Sequence, residues 1–124
     1  MDNGPLRVLV ADDSERVRTA VRDLLGTAGD IEVVGLAADG AEAVALAHDL
    51  RPDVVLMDVA MPVMDGIEAT RRITSADPSV RVIVLTAVRG REAEAREAGA
   101  VTQLLKDATP AELVRCLRNA PARR

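Results

Sequence analysis

The sequence predicts a single-domain α/β fold: a doubly wound, five-stranded parallel sheet with helices on both faces. Three observations carry this reading. Short apolar runs and helix-forming stretches alternate five times along 124 residues, without internal repeat or low-complexity tract. The runs are nearly continuous in Val, Leu, Ile and Met, as strands buried on both faces require. Four of the five runs end in a polar residue, so an ordered set of chemical groups stands at strand ends.

Leu6–Ala11 (LRVLVA) is the first strand, and Asp12-Asp13-Ser14 behind it is suited to capping a helix, with Asp13 expected to contribute. Val17, Ala20, Val21, Leu24 and Leu25 fall on one face of that helix, which is expected to stop near Gly29. Ile31–Ala37 is the second strand. Asp39, with Glu42 three residues on, reads as the cap of an Ala-rich helix that runs to about Leu50. Pro52 separates it from the third strand, Asp53–Met57, which exits at Asp58 into a loop marked by Pro62 and Gly66. Ile67, Thr70 and Ile73 place a short helix that ends before Pro78. Val80–Leu85 is the fourth strand, closed by Thr86. Arg89–Ala98 has alanine as its only apolar residue, so as a helix it would bury little. Val101–Leu105 is the fifth strand, stopped by Lys106. Thr109-Pro110-Ala111-Glu112 combines a cap, a proline at the first helical position and a Glu that closes a capping box. Leu113, Cys116, Leu117 and Ala120 line one face of the helix behind it.

Composition sets the bounds on function. Hydrophobic residues make up 48% and charged ones 29%, a globular and not a disordered balance. There is no Phe, Tyr or Trp, so the core must be Val, Leu, Ile, Ala and Met. The net charge of −4 comes from interspersed acids and bases, which argues against a nucleic-acid or membrane surface. No apolar run reaches membrane-spanning length and no basic-apolar leader opens the chain, so cytoplasm is the expected address. Cys116, the single cysteine, cannot form an internal disulfide and is expected to be buried and inert. His48 has no partner in the pattern, and a helix-dipole interaction explains it. Met57, Met61 and Met64 are expected to pack and not to bind metal.

Right-handed crossovers bring the carboxyl ends of parallel strands to one edge, where open α/β sheets bind ligands. Asp12 and Asp13 follow the first run, Asp58 the third, Thr86 the fourth and Lys106 the fifth. Three carboxylates brought together repel, and a cation must offset them. Lys106 supplies one positive charge. Mg2+ suits the remainder, as a hard ion that takes a few carboxylates and leaves positions for a phosphoryl oxygen. No His or Cys cluster offers a zinc or copper site. Asp58 is then placed as a nucleophile that forms an acyl phosphate, with Lys106 and Thr86 stabilising charge on the equatorial oxygens. Ala60 and Ala87 are small enough for their backbone N–H groups to approach that phosphoryl closely.

The acidic pair Asp12-Asp13, MDVAMPVMDG around Asp58, LTA around Thr86 and LLKDATPAEL around Lys106 together resemble a two-component response-regulator receiver domain. The style is that of the NarL/FixJ-like branch joined to LuxR-type DNA-binding domains, and the resemblance covers the whole chain. It implies a flavodoxin-like (βα)5 fold with strand order 2-1-3-4-5, a receiver over residues 1–120, and a tail or linker start at 121–124. Asp12, Asp13 and Asp58 would hold Mg2+, with the Ala60 carbonyl as a further ligand. Asp58 would take phosphate from a sensor histidine kinase, and the domain would assist that transfer and its reversal without being an enzyme. DNA would be reached only through a domain not present in this chain, and a homodimer would form through the first and last helices.

Two departures from the family pattern bear on output. Receivers usually carry Tyr or Phe three residues before the lysine, and Gln103 stands there. Burying its amide without partners costs on the order of 1–3 kcal/mol, as much as a typical allosteric coupling. The stretch between Thr86 and Lys106 is also short. The expectation is a conserved chemistry with an altered or weak readout, set against a plain polar residue on an exposed strand face. Two other function classes compete. A Mg2+-dependent phosphatase with an aspartyl nucleophile resembles a D-x-D pattern, but Ala60 occupies the second acidic position. A phosphorylation-independent interaction module with a receiver fold is the remaining alternative, favoured by Gln103 and opposed by the intact pocket.

Overall fold

The computed structural model describes residues 4–87 and 89–120; the tail expected at 121–124 lies outside the described residues. Its elements alternate strictly: β1 (Leu6–Ala11), α1 (Glu15–Gly26), β2 (Ile31–Ala37), α2 (Gly40–Leu50), β3 (Val54–Asp58), α3 (Gly66–Ala76), β4 (Arg81–Thr86), α4 (Glu92–Ala98), β5 (Thr102–Leu105) and α5 (Pro110–Arg118). The five strands are all parallel and run in the order β2-β1-β3-β4-β5. The expected doubly wound sheet is therefore the observed one.

The two faces carry separate cores. On one side Val8, Val10, Leu56 and Ile83 pack under Leu25 of α1 and Leu113 and Leu117 of α5. On the other, Val55, Met57, Val82 and Val84 meet Ala43, Ala47, Ile67, Ile73, Ala95 and Ala98 of α2, α3 and α4. β3 is central, and all of its five residues are buried, which is why its sequence is apolar up to the last position. The three methionines pack on this second face, Met57 and Met61 buried and Met64 partly so.

Helix ends follow local chemistry. Asp39, Asp65 and Thr109 each accept from the backbone N–H three residues on, at 2.8, 2.9 and 3.1 Å, and Glu112 closes the capping box by accepting from the Thr109 N–H. Helix α1 is capped by Ser14, whose hydroxyl accepts from the Val17 N–H at 3.3 Å. It also ends earlier than expected, at Gly26 and not near Gly29. The Thr27 hydroxyl and N–H both turn back to the Leu24 carbonyl, so the last turn is satisfied before the glycine is reached.

Three strands begin one residue later than their apolar runs suggest. Ladder pairing decides the bounds: the Asp53 side chain accepts from the Arg7 N–H at 2.9 Å outside the sheet, while Asp58 pairs with Leu85 and Thr86 with Leu105 inside it. Asp58 and Thr86 are thus strand residues, held by the sheet itself.

Candidate functional site

Asp12, Asp58, Thr86 and Lys106 converge at the carboxyl edge of the sheet. Asp12 and Asp58 are 2% and 5% exposed, and Thr86 is 2% exposed at the end of β4. The Lys106 N–H bonds the Thr86 carbonyl at 2.8 Å, which fixes the start of its side chain. Its Nζ then lies 2.8 Å from Asp12 Oδ2 and 3.2 Å from Asp58 Oδ1. One ammonium therefore serves two buried carboxylates. Asp13 is exposed, and its carboxylate oxygen joins those of Asp12 and Asp58 in a group whose members all lie within 4.8 Å of one another. Ala60 and Ala87 are exposed on either side, at the starts of the β3–α3 and β4–α4 loops.

Asp12 is held in place from its own turn. Its Oδ1 accepts from the Ser14 N–H at 2.9 Å, and the Arg18 guanidinium donates to its carbonyl at 2.7 Å. Its Oδ2 is buried, makes no well-angled hydrogen bond, and has the Lys106 ammonium beside it at 2.8 Å. Asp58 is pushed above the usual carboxylate range, first by burial and then by the charges of Asp12 and Asp13; Lys106 opposes the shift without cancelling it. Burial pulls the Lys106 ammonium down, but its close ion pairs with Asp12 and Asp58 outweigh that, and its pKa is raised.

Three carboxylates against one ammonium leave the cluster short of two positive charges. Hard oxygen donors, an under-coordinated buried oxygen on Asp12 and one exposed acid facing solvent are what a small divalent cation such as Mg2+ accepts. The residues present fit the ion. Among the described residues these three acids are the side chains so grouped.

The loop beyond Asp58 is seated by two glycines. The Gly66 N–H bonds the Val59 carbonyl at 2.8 Å, and a Cβ on Gly66 would overlap the Asp58 carbonyl oxygen. A Cβ on Gly40 would likewise overlap the Met64 carbonyl. From sequence Gly66 reads as a turn residue; its closer role, letting α3 press on the backbone of Asp58, shows only when the two segments are stacked.

Residues 8–118 match the response regulator receiver domain family. The chain belongs to that family. Among curated relatives, the Bacillus subtilis transcriptional regulatory protein YxjL is 43% identical over 122 residues, covering 97% of this chain and 56% of that protein. The Staphylococcus aureus response regulator protein VraR is 41% identical over 115 residues, covering 91% of this chain and 55% of that protein. The receiver thus spans about half the length of the curated relatives it matches. Among solved structures, the response regulator domain of Thermotoga maritima CheB aligns with a TM-score of 0.87 at 36% identity, over 94% of this chain and 96% of that one. The signal receiver domain of the Mycobacterium tuberculosis response regulator NarL aligns at 0.86 and 34%, over 94% and 98%. The family is one of two-component signalling receivers and not a conventional enzyme family. No helix among the described residues is long and apolar enough to cross a membrane.

One of the two readings left open for Gln103, and the full burial expected of Cys116, do not hold in the structure. Gln103 pairs with Val84 and points to the α4 side of the sheet; it is only partly exposed, and its Oε1 is buried without a hydrogen-bond partner. It is not a polar residue on a free strand face. A cleft of about 320 Å³ lies between α4 and β5, lined by Ala95, Arg96, Ala100 and Gln103. Helix α4 buries only Ala95 and Ala98, and the Thr74 hydroxyl ties its end by donating to the Ala98 carbonyl at 2.7 Å. Cys116 is partly and not fully buried, because α5 is rotated so that Leu113 and Leu117 take the interior; desolvation still raises its thiol pKa. His48 is exposed in the last turn of α2.

Proposed function

We propose that the receiver accepts a phosphoryl group on Asp58 from a phosphohistidine of a sensor histidine kinase, and that this switches a regulatory output. The observation that carries the reading is Lys106, whose ammonium reaches Asp58 at 3.2 Å and Asp12 at 2.8 Å on the rim where ligands of open α/β sheets bind. An Asp58 oxygen attacks phosphorus as the P–N bond to the imidazole breaks. The electron pair stays on the ring nitrogen, which takes up a proton. Lys106, the Thr86 hydroxyl and the N–H groups of Ala60 and Ala87 take up charge on the three equatorial oxygens, which is most of the work in such a transfer. A bound Mg2+ would neutralise the acidic cluster and the phosphoryl oxygens, with Asp12, Asp13, Asp58 and the Ala60 carbonyl as its ligands. Water attacking the acyl phosphate in the same cradle would reset the domain.

The output is proposed to be transcriptional, through a DNA-binding domain outside this chain, since relatives of about twice the length are transcriptional regulators. Cytoplasm is the matching location, and a second copy of the chain is a further partner. The readout is proposed to be altered. An unsatisfied Gln103 carbonyl at a position that usually holds an aromatic ring, beside a helix anchored by two alanines, is a poor element for transmitting a small shift of Thr86.

Mass spectrometry after incubation with acetyl phosphate and Mg2+ tests the chemistry. One added phosphoryl mass on the wild-type chain, absent from Asp58→Asn, is the expected result. Equal masses would favour the phosphorylation-independent module. Amide shifts with a beryllofluoride mimic test the readout: large changes across Arg89 to Gln103 would show ordinary coupling, and small ones the altered switch.

A further inference from the structure

Arg18 stands in the first turn of α1, a few residues beyond the acidic pair. Its N–H bonds the Ser14 carbonyl at 2.9 Å, so the helix fixes its backbone, and a long helical side chain points back toward the N-terminus. The guanidinium accordingly returns to the end of β1 and donates from Nη1 to the Asp12 carbonyl at 2.7 Å. No backbone N–H among the described residues donates to that carbonyl. The Asp12 N–H reaches the Ala37 carbonyl at 3.0 Å, and the ladder between β1 and β2 ends there. Arg18 thus supplies the partner that a main-chain acceptor needs on a residue 2% exposed.

The bond bears on the next residue. A carbonyl and the N–H that follows it form one rigid plane, so holding the Asp12 oxygen orients the peptide that carries Asp13. Asp13 depends on this support more than its neighbours do. Asp12 is tied by the Ser14 N–H and Lys106, and Asp58 by its pairing in the sheet and by Lys106. The Asp13 carboxylate is exposed and makes no hydrogen bond or ion pair with any described residue, yet an oxygen of it lies within 4.8 Å of those of Asp12 and Asp58. The backbone alone places it there.

We propose that Arg18 is a positioning residue for the divalent cation of this site: it fixes the peptide between Asp12 and Asp13, and through it the one acidic ligand that no side-chain contact holds. The inference rests on the reading of Asp12, Asp13 and Asp58 as cation ligands. It gives Arg18 no contact with the ion or with a phosphoryl group. An effect of charge would have the opposite sign. A guanidinium acting through space repels a divalent cation, so removing it would tighten binding; one acting through the peptide strengthens binding, and removing it weakens the site.

The test reads Mg2+ binding itself. MgCl2 is titrated into the full chain and followed by amide NMR shifts, which report the fold in the same spectra. Wild type, Arg18→Met and Arg18→Lys are compared, each with and without Asp13→Asn. Loss of a group that orients a metal's ligands costs about 10–100-fold in affinity, so Arg18→Met is expected to raise the Mg2+ Kd about tenfold. Arg18→Lys keeps a donor on a long stem and should recover most of that loss. In the Asp13→Asn background Arg18→Met should move the Kd by no more than about twofold, because the ligand it positions is already gone. Added salt should leave the ratio between variants in place, since it screens charge acting through space and not a hydrogen bond. Unchanged or tighter binding by Arg18→Met overturns the proposal. So does an equal loss in both backgrounds, as a loosened fold would give. A wild-type chain that binds no Mg2+ would instead overturn the reading of the acidic group as a cation site.

Discussion

Replacing Asp58 by Asn should stabilise the receiver at neutral pH when no divalent cation is bound. Asp12 and Asp58 are both buried, and their oxygens lie within 4.8 Å of each other, so at an effective dielectric of ~20 they repel by about 3.5 kcal/mol or more. Lys106 at 3.2 Å returns about 5 kcal/mol on the same scale, but it is 27% exposed, and solvent screens that attraction more than the buried repulsion. Desolvation decides the balance against the charge, which is why the Asp58 pKa is raised. An isosteric amide removes repulsion and desolvation together and gives up one screened ion pair. The net gain is on the order of 1 kcal/mol, or about 3–6 °C in Tm for a domain of this size.

The sign with pH follows from that raised pKa. Between the ordinary value of 3.8 and the folded one, the folded state holds a proton that the unfolded chain has lost. Stability therefore falls as pH rises through that window and stays lowered above it. Below 3.8 both states are protonated, and the advantage of the variant should vanish. Thermal melts of the two chains across pH, with chelator and then with Mg2+, read the effect directly. Mg2+ should raise the wild-type Tm more than that of Asp58→Asn. A variant that melts at or below wild type at neutral pH in chelator would refute the electrostatic account of the site.

Lys106→Met should be destabilising by about 3 kcal/mol, because it strands two buried carboxylates, and should slow acetyl phosphate labelling about a hundredfold. The raised Lys106 pKa adds a sign: its stabilisation is complete below 10.5 and is lost as pH climbs through the folded value, so wild-type melts should decline there while those of the Met variant do not. Gly66→Ala forces a Cβ onto the Asp58 carbonyl and should cost about 3 kcal/mol in urea unfolding, with reduced labelling. Gln103→Leu removes a buried carbonyl that has no partner and should raise the urea midpoint by about 1 kcal/mol of stability. A loss of stability in that variant would show that Gln103 is satisfied in solution.

Much of the site was legible because each of its groups marks the end of an apolar run. Asp12, Asp58, Thr86 and Lys106 could be placed on one sheet edge from handedness alone, without a contact in hand. The supports were not legible. Gly66 carries no sign that its missing Cβ makes room for the Asp58 carbonyl, because that contact depends on how α3 is laid over β3. Ser14 and not Asp13 caps α1, since Asp13 is turned toward the acidic group and solvent. Gln103 read equally well as an exposed or a buried residue, because β5 is an edge strand whose cover by α4 depends on a helix of alanines and charge.

Hydrophobic continuity, helix caps and the order of polar strand ends belong to the sequence, because they follow from nearest neighbours along the chain: a buried strand must be apolar throughout, and a helix must satisfy its first N–H groups. Which oxygen of Asp12 faces Lys106 and how far Asp58 is lifted from its ordinary pKa were decided only in three dimensions. Those quantities depend on distance and on exclusion of water. Both come from segments tens of residues apart closing on one another, and no local pattern encodes them.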